Sequence, residues 1–319
     1  MTFFATVIMP YLAFVSFLAG MSYRVWRWAS SPVPFRIPTT CGQQESLPFI
    51  RADKLENPPD RLHAFLRMLL EVLLFRSLFR GAQAEKRGET LVFGSAKWLW
   101  FFALMFHWSM LFILLRHLRF VLQPVPGWLL GLEAADGFLQ IGLPVLYITD
   151  IFFLTGLTFL FLRRVALPRL RYISLPSDYL AVLLLIAVGL SGLATRFIWR
   201  ADITGVKEWA LSLVTLRPEP LAAASPAFLT HLILVMCLIA YFPWSKLAHA
   251  GGVFLSPTRN LANNSRARRH VNPWNYPAPV HSYAEYENDF REKMRKAGLP
   301  LESAEKTEGG AESAAGGLK

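Results

Sequence analysis

The stretch FHWSMLFILLRHLRF (residues 106–120) ends a strongly apolar run, yet it carries two histidines ten positions apart, His107 and His117. A segment apolar enough to cross a bilayer should exclude titratable rings, because each needs a polar partner inside hydrocarbon. Whatever satisfies those two rings decides what the chain is built to do.

The surrounding sequence supports the membrane reading. Of 319 residues, 54% are hydrophobic and only 17% are charged, against about 25% charged in a soluble domain. Mean hydropathy is positive, and the apolar residues collect in long runs, the pattern of a polytopic membrane protein. The formal charge of +11 comes from basic residues clustered between those runs. Membrane topology accounts for them, and no nucleic-acid partner is expected. The two cysteines, Cys41 and Cys237, form no CxxC or CxxCH. Covalently attached haem and iron–sulfur clusters are therefore excluded, and any metal chemistry must rest on histidine. Cys237 reads as a small apolar filler in mid-span.

The first apolar run covers residues 2–23. No lysine or arginine precedes it, and Arg24 and Arg27 follow it. That order is the reverse of a cleaved signal peptide, so a retained helix with its N-terminus outside is expected. Residues 24–97 form a basic connection. It contains the proline-rich SSPVPFRIPTT (30–40), without helix or strand period, and the apolar but arginine-bearing RLHAFLRMLLEVLLFRSLFR (61–80). Five charges suit the latter to an interfacial amphipathic helix with its arginines at the headgroups, not to a span. Four more spans are expected at about 98–122, 139–162, 179–198 and 226–246. Arginines crowd the 163–178 loop and the region after 250, which places both, with the 24–97 connection, in the cytoplasm. The expectation is an all-α membrane protein: a five-helix transmembrane bundle, N-terminus outside and C-terminus cytoplasmic. The membrane domain would end near 250. A basic cytoplasmic tail over 251–301 would dock a partner, and a Gly/Ala/Glu-rich end over 302–319 would be disordered.

The seven histidines are His63, His107, His117, His231, His249, His270 and His281. His231 and His249 open and close the fifth run, THLILVMCLIAYFPWSKLAH (230–249). With the second and fifth spans antiparallel, His107 lies at the depth of His249, and His117 near that of His231. An imidazole in hydrocarbon is satisfied when one nitrogen binds iron and the other donates to a backbone carbonyl. Two bis-histidine haems stacked across the bilayer would satisfy all four rings. Ten residues of helix rise about 15 Å and eighteen about 27 Å, so straight helices cannot level both pairs. Tilt, Pro243 and the SKLAHAGG segment (245–252) are where the difference would be absorbed. Eighteen residues at about 100° each do return to one face.

Spacings of ten and eighteen on the second and fifth helices resemble the nitrate reductase gamma (NarI) family of di-haem cytochromes b, over roughly residues 1–250. The following segment, GGVFLSPTRNLANNSRARRHVNPWNYP (251–277), resembles the DsrM family, the membrane cytochromes b of DsrMKJOP complexes in sulfur-metabolising prokaryotes. It is also similar to the TmcC and Hme subunits. This resemblance implies two haem b groups, with His107 and His249 as axial ligands of the inner one and His117 and His231 of the outer one. It further implies menaquinone as redox partner and a cytoplasmic iron–sulfur subunit of the DsrK type, resembling the heterodisulfide reductase catalytic subunit. Additional DsrJ-, DsrO- and DsrP-like subunits in and outside the cytoplasmic (inner) membrane would complete a complex of dissimilatory sulfur metabolism.

Other residues carry two readings each. Arg116 and Arg119 flank His117, either pairing with haem propionates or snorkelling to the membrane face. Asp150, placed about mid-way along the third span near Tyr147 and Thr155, either exchanges protons at a quinone site or salt-bridges to a neighbouring arginine. Lys207 and Glu208 are either at a quinone mouth or solvated. His63 reads as a headgroup-facing ring, and His270 and His281 are poor ligand candidates. Trp274 and Tyr276 anchor either a soluble subunit or lipid headgroups. For the chain as a whole, the alternative is a haem-free membrane anchor that recruits a cytoplasmic partner. A proton-coupled transporter would want internally repeated halves, which do not appear.

Overall fold

The computed structural model describes residues 2–31, 53–142, 144–221, 224–263 and 280–302. The chain divides into two units, Met1–Val271 and Asn272–Lys319. In the first, a π-helical turn (Phe4–Ile8) runs into α1 (Met9–Ala29). There follow α2 (Arg61–Leu74), α3 (Arg76–Arg80), a hairpin of β1 (Ala82–Arg87) and β2 (Thr90–Ser95), and α4 (Lys97–His117). Next come α5 (Gly127–Asp136), α6 (Ile148–Ala166), α7 (Pro168–Ile173), α8 (Pro176–Leu193), α9 (Ile203–Val214), α10 (Pro226–Tyr241), α11 (His249–Gly252) and α12 (Pro257–Asn260).

Among the described residues, four helices are long and apolar enough to cross a membrane: Phe4–Ala29, Lys97–Phe120, Pro176–Ile198 and Pro226–Trp244. Helix α6 is of similar length but carries Asp150 in its first turn and Arg163 and Arg164 in its last. The long helices pack in the order α4, α6, α8, α10, α1. Phe106, Phe153, Leu157, Leu185 and Leu238 form the core between them. Gly156 lets α6 press onto α4: a Cβ there would lie 2.9 Å from Phe106 Cβ and 3.0 Å from the Phe102 carbonyl. Much of the remaining helix surface is exposed Phe, Leu, Ile and Trp, as expected of helices whose outer faces meet lipid rather than water. Cys237 is on that exposed surface, so it fills no core.

Several expectations change. The segment 61–80 is two helices, because Phe75 takes the left-handed conformation (φ 50°, ψ 46°) and ends α2. A helix end leaves carbonyls without partners. Here Trp100 Nε1 donates to Leu74 O (2.7 Å) and Trp108 Nε1 to Leu73 O (3.0 Å), docking α2 on α4. Its start is capped by Asp60, whose carboxylate accepts the His63 amide (2.9 Å). That hydrogen bond, foremost, holds the Asp60 pKa below the ordinary range. Arg76 and Arg80 do not reach for headgroups but turn to Glu56, while Glu71 binds Arg259 at 2.8 Å. The hairpin, joined through Gly88 (φ 61°) with Arg87 opposite Thr90, interrupts what reads as a structureless connection. Helices α5 and α9 likewise occupy stretches read as plain loops. The third long helix starts at Ile148 rather than near 139, since Gln140 and Gly142 have positive φ and Pro144 follows.

In the second unit, α13 (Tyr283–Lys296) starts with a reciprocal cap between Ser282 and Glu285. Glu287 is buried there and pairs with Arg291 at 3.0 Å. His270, Trp274 and Tyr276, the Cys41 region and the end of the chain from 303 fall outside the described residues.

Candidate cofactor site

Helix α4 presents His107 in its middle and His117 at its last residue. His107 Nδ1 donates to Ala103 O and His117 Nδ1 to Ile113 O, both at 2.7 Å and both one helical turn back. His249 Nδ1 donates to Lys246 O, again at 2.7 Å. A carbonyl oxygen only accepts, so these bonds put the proton on Nδ1 and leave the lone pair on Nε2. His231 differs. Its Nδ1 lies 3.0 Å from Ser191 Oγ on α8, and that hydroxyl donates its own hydrogen to Val188 O (3.0 Å). Oγ is thereby left to accept from His231. All four rings thus share one state, with Nδ1 as donor and Nε2 as a free base, the arrangement seen in histidines that bind metal.

His107 comes together with His249, and His117 with His231. The His107 and His249 ring centres are 5.9 Å apart at an interplanar angle of 79°. Two imidazoles at that separation are near enough that they would share one metal ion between their free nitrogens. His231 and His117 are near enough to interact electrostatically. Among the described residues, α4 and α10 are not among the helices that pack closely on each other; their histidines reach across. The donor set therefore fits iron held by pairs of imidazoles, and among the described residues no group of three or more His, Cys, Asp or Glu is gathered to hold an ion.

The mismatch in rise disappears because the fifth segment is not one helix. After His231, α10 continues for ten residues to Tyr241, matching the step from His107 to His117. Turns at Phe242–Trp244 and Lys246–Ala248, separated by extended Ser245 (φ −106°, ψ 176°), then carry His249. Pro243, which cannot donate a helical hydrogen bond, marks the break.

Beside His117, Arg116 is buried with its guanidinium divided between two acids. Its Nη2 is 2.6 Å from Asp150 Oδ1. Its Nε is 3.1 Å from Asp136 Oδ2, within ion-pair range though not aligned as a hydrogen bond. Asp136 also accepts from the Thr149 amide (2.9 Å) and hydroxyl (2.6 Å), and Tyr147 stacks under the guanidinium at 3.8 Å. Arg116 therefore does not snorkel. Arg119 grips both oxygens of Glu133 at 3.0 Å. Asp150 sits in the first turn of α6, not mid-span, and of its two readings the ion pair is the one displayed. Lys207 and Glu208 lie on α9, where Glu208 lines a cleft with Trp209, Phe228 and Glu219. His63 pairs with Asp60 (2.8 Å), and His281 is exposed.

Residues 66–268, which hold all four histidines, match the nitrate reductase gamma subunit family. The chain belongs to that family. Two relatives, from Archaeoglobus fulgidus and Archaeoglobus profundus, are each named Hdr-like menaquinol oxidoreductase cytochrome b-like subunit. The first is 44% identical over 86% of this chain and 84% of its own length. The second is 44% identical over 83% and 81%. The nitrate reductase gamma chain of Bacillus subtilis is 30% identical over 50% of this chain and 74% of its own.

As a member of the gamma subunit family, the chain contains site residues that its sequence did not single out. Asp136 and Glu133 stand out only as acids in an otherwise apolar connection. Ser191 is one serine among many. Asp178, which pairs with Lys246 at 2.6 Å, looks like an ordinary acid at a helix start.

Proposed function

We propose that this gamma-family subunit is a di-haem membrane cytochrome b that passes electrons between menaquinol and a soluble iron–sulfur partner. The observation that carries this reading is the common state of His107, His249, His117 and His231, each with Nδ1 engaged as a donor and Nε2 available. His107 with His249 would hold one haem b, and His117 with His231 the other. Haem b, when bound, supplies a one-electron couple whose potential is set by its axial ligands and burial.

The chain's own groups do the rest. Each Nδ1–H bond fixes ring orientation and raises the basicity of the opposite nitrogen. His107 and His231 are partly buried between the helices. Asp150, fixed by Arg116 beside His117, is assigned as the carboxylate that exchanges protons with the quinol, and Arg116 and Arg119 as cations that would neutralise haem propionates. Five spans, with α6 as the third, put the termini on opposite sides of the inner membrane, and the basic connections put the C-terminus in the cytoplasm and the N-terminus outside. The names of the Archaeoglobus relatives support a heterodisulfide-reductase-like partner. Within that class we favour a DsrK-type subunit and DsrJ-, DsrO- and DsrP-like companions, as in dissimilatory sulfur metabolism.

Purified from membranes, the protein should show a reduced b-type spectrum at about two haems per chain, as four ligands require. A haem-free preparation that still recruits a cytoplasmic subunit would instead establish the anchor reading.

A further inference from the structure

We propose that α8, which donates no ligand, sets one ligand of each pair: Ser191 near its end orients His231, and Asp178 at its start positions His249 through Lys246. The inference rests on the di-haem reading above and adds two positioning residues to it.

The first contact is direct. His107, His117 and His249 bond to backbone oxygens of their own segments, which no substitution of a neighbouring side chain removes. His231 is the one ring of the four that bonds to a side chain, and that side chain comes from another helix, whose Val188 carbonyl also lies within reach of the ring. Ser191 Oγ suits this because Val188 O takes its hydrogen. The acceptor state is thus enforced, and with it the His231 tautomer. The next residue, Gly192, lets α8 come close: a Cβ there would stand 3.1 Å from His231 Cε1. Serine and glycine in sequence therefore supply one acceptor and one gap at the same ring.

The second contact works at one remove. Asp178 is in the first turn of α8, its side chain only 5% exposed, with one oxygen bound to the Leu175 amide (3.1 Å). Its other oxygen is 2.6 Å from Lys246 Nζ. Lys246 belongs to the short turn whose backbone oxygen orients His249. That turn follows the break at Pro243, so helical hydrogen bonding from α10 no longer fixes it. Arg164 adds a longer contact to Asp178 (3.6 Å). Thirteen residues of α8 separate Asp178 from Ser191, about 20 Å of rise, so one rigid helix reaches both levels.

The test is an optical redox titration of the purified holoprotein, with low-temperature EPR of the oxidised haems. Ser191→Ala removes the acceptor from His231, makes the ring a weaker donor to iron, and should raise the potential of that haem alone. Its retention of haem should fall about 10-fold, the low end for loss of a bond that orients a metal ligand. Asp178→Asn should shift the EPR signal of the other haem alone. Lys246→Gln, which keeps the backbone oxygen, should reproduce that shift, and Asp178→Glu should restore the original signal. If Ser191→Ala fails to accumulate, Gly192→Ala crowds the same ring and should move the same haem. Wild-type protein with two haems, together with variants whose potentials and signals are unchanged, overturns the inference and leaves the di-haem reading standing. So do variants that shift both haems equally. Wild-type protein without haem overturns the reading beneath it.

Discussion

Arg116 shows how far a single side chain in this bundle depends on its partners. Its guanidinium and the Asp136 carboxylate are nearly inaccessible, 8% and 1% exposed, and Asp150 is close to that. Removing one member of such a group strands the others without water, at a cost of about 3–5 kcal/mol. Arg116→Met is therefore expected to lower the denaturant midpoint of the detergent-solubilised protein sharply. Arg119→Met, whose side chain is 40% exposed, should change it far less. At the proposed ligands, His107→Met and His231→Met should each perturb one haem and spare the other, read as loss of one of two steps in a redox titration. The histidines were legible in the sequence because four imidazoles at matched ends of two apolar runs have few ways to be satisfied. The acids that hold Arg116 were not, because Asp136 comes from a helix in a connection that carries no hydrophobic period long enough to announce it.

Among elements, the breaks matter more than the helices. The sequence displays continuous apolar runs over 61–80 and 226–249, and both are interrupted, at Phe75 and after Tyr241. Only the second break had a visible cause in Pro243. Phe75 adopts its left-handed conformation because contacts elsewhere stabilise the freed helix end: the Trp100 and Trp108 indoles, and its own ring against His107 at 4.9 Å. Each indole bond is expected to contribute about 1 kcal/mol. Trp108→Phe should accelerate amide hydrogen exchange over the last turn of α2 and leave α10 unaffected. Close packing of α4 on α6 makes the opposite prediction about size. Gly156→Leu must displace Phe106, and overpacking of this kind costs about 1–3 kcal/mol, measurable as a lower melting temperature.

For the whole molecule, apolar run length and loop charge made the membrane class legible, and the family match agrees with it. The expected third span is the element for which hydropathy is least decisive, because α6 carries charges at both ends. Packing between α4 and α8 is what gives it a place in the bundle. Reporter fusions at the two termini should report opposite sides of the membrane if five spans are present, and the same side if there are four. Removing residues 264–319 should leave the haem spectrum unchanged and abolish co-purification of the iron–sulfur subunit, if the basic tail is its dock. The hairpin, whose second strand is exposed throughout, and helices α5 and α9, which fold against the bundle, were hidden because each is too short to show a period of its own.

The proposed electron transfer depends on imidazole nitrogens from α4 and from the α10–α11 segment meeting at iron. The most direct measurement is quantitative haem extraction together with a dithionite-reduced spectrum of the purified chain. Two non-covalent haem b per polypeptide, falling to one in His107→Met and to one in His231→Met, is the predicted result. A chain that binds no haem, or keeps both after either substitution, would contradict it.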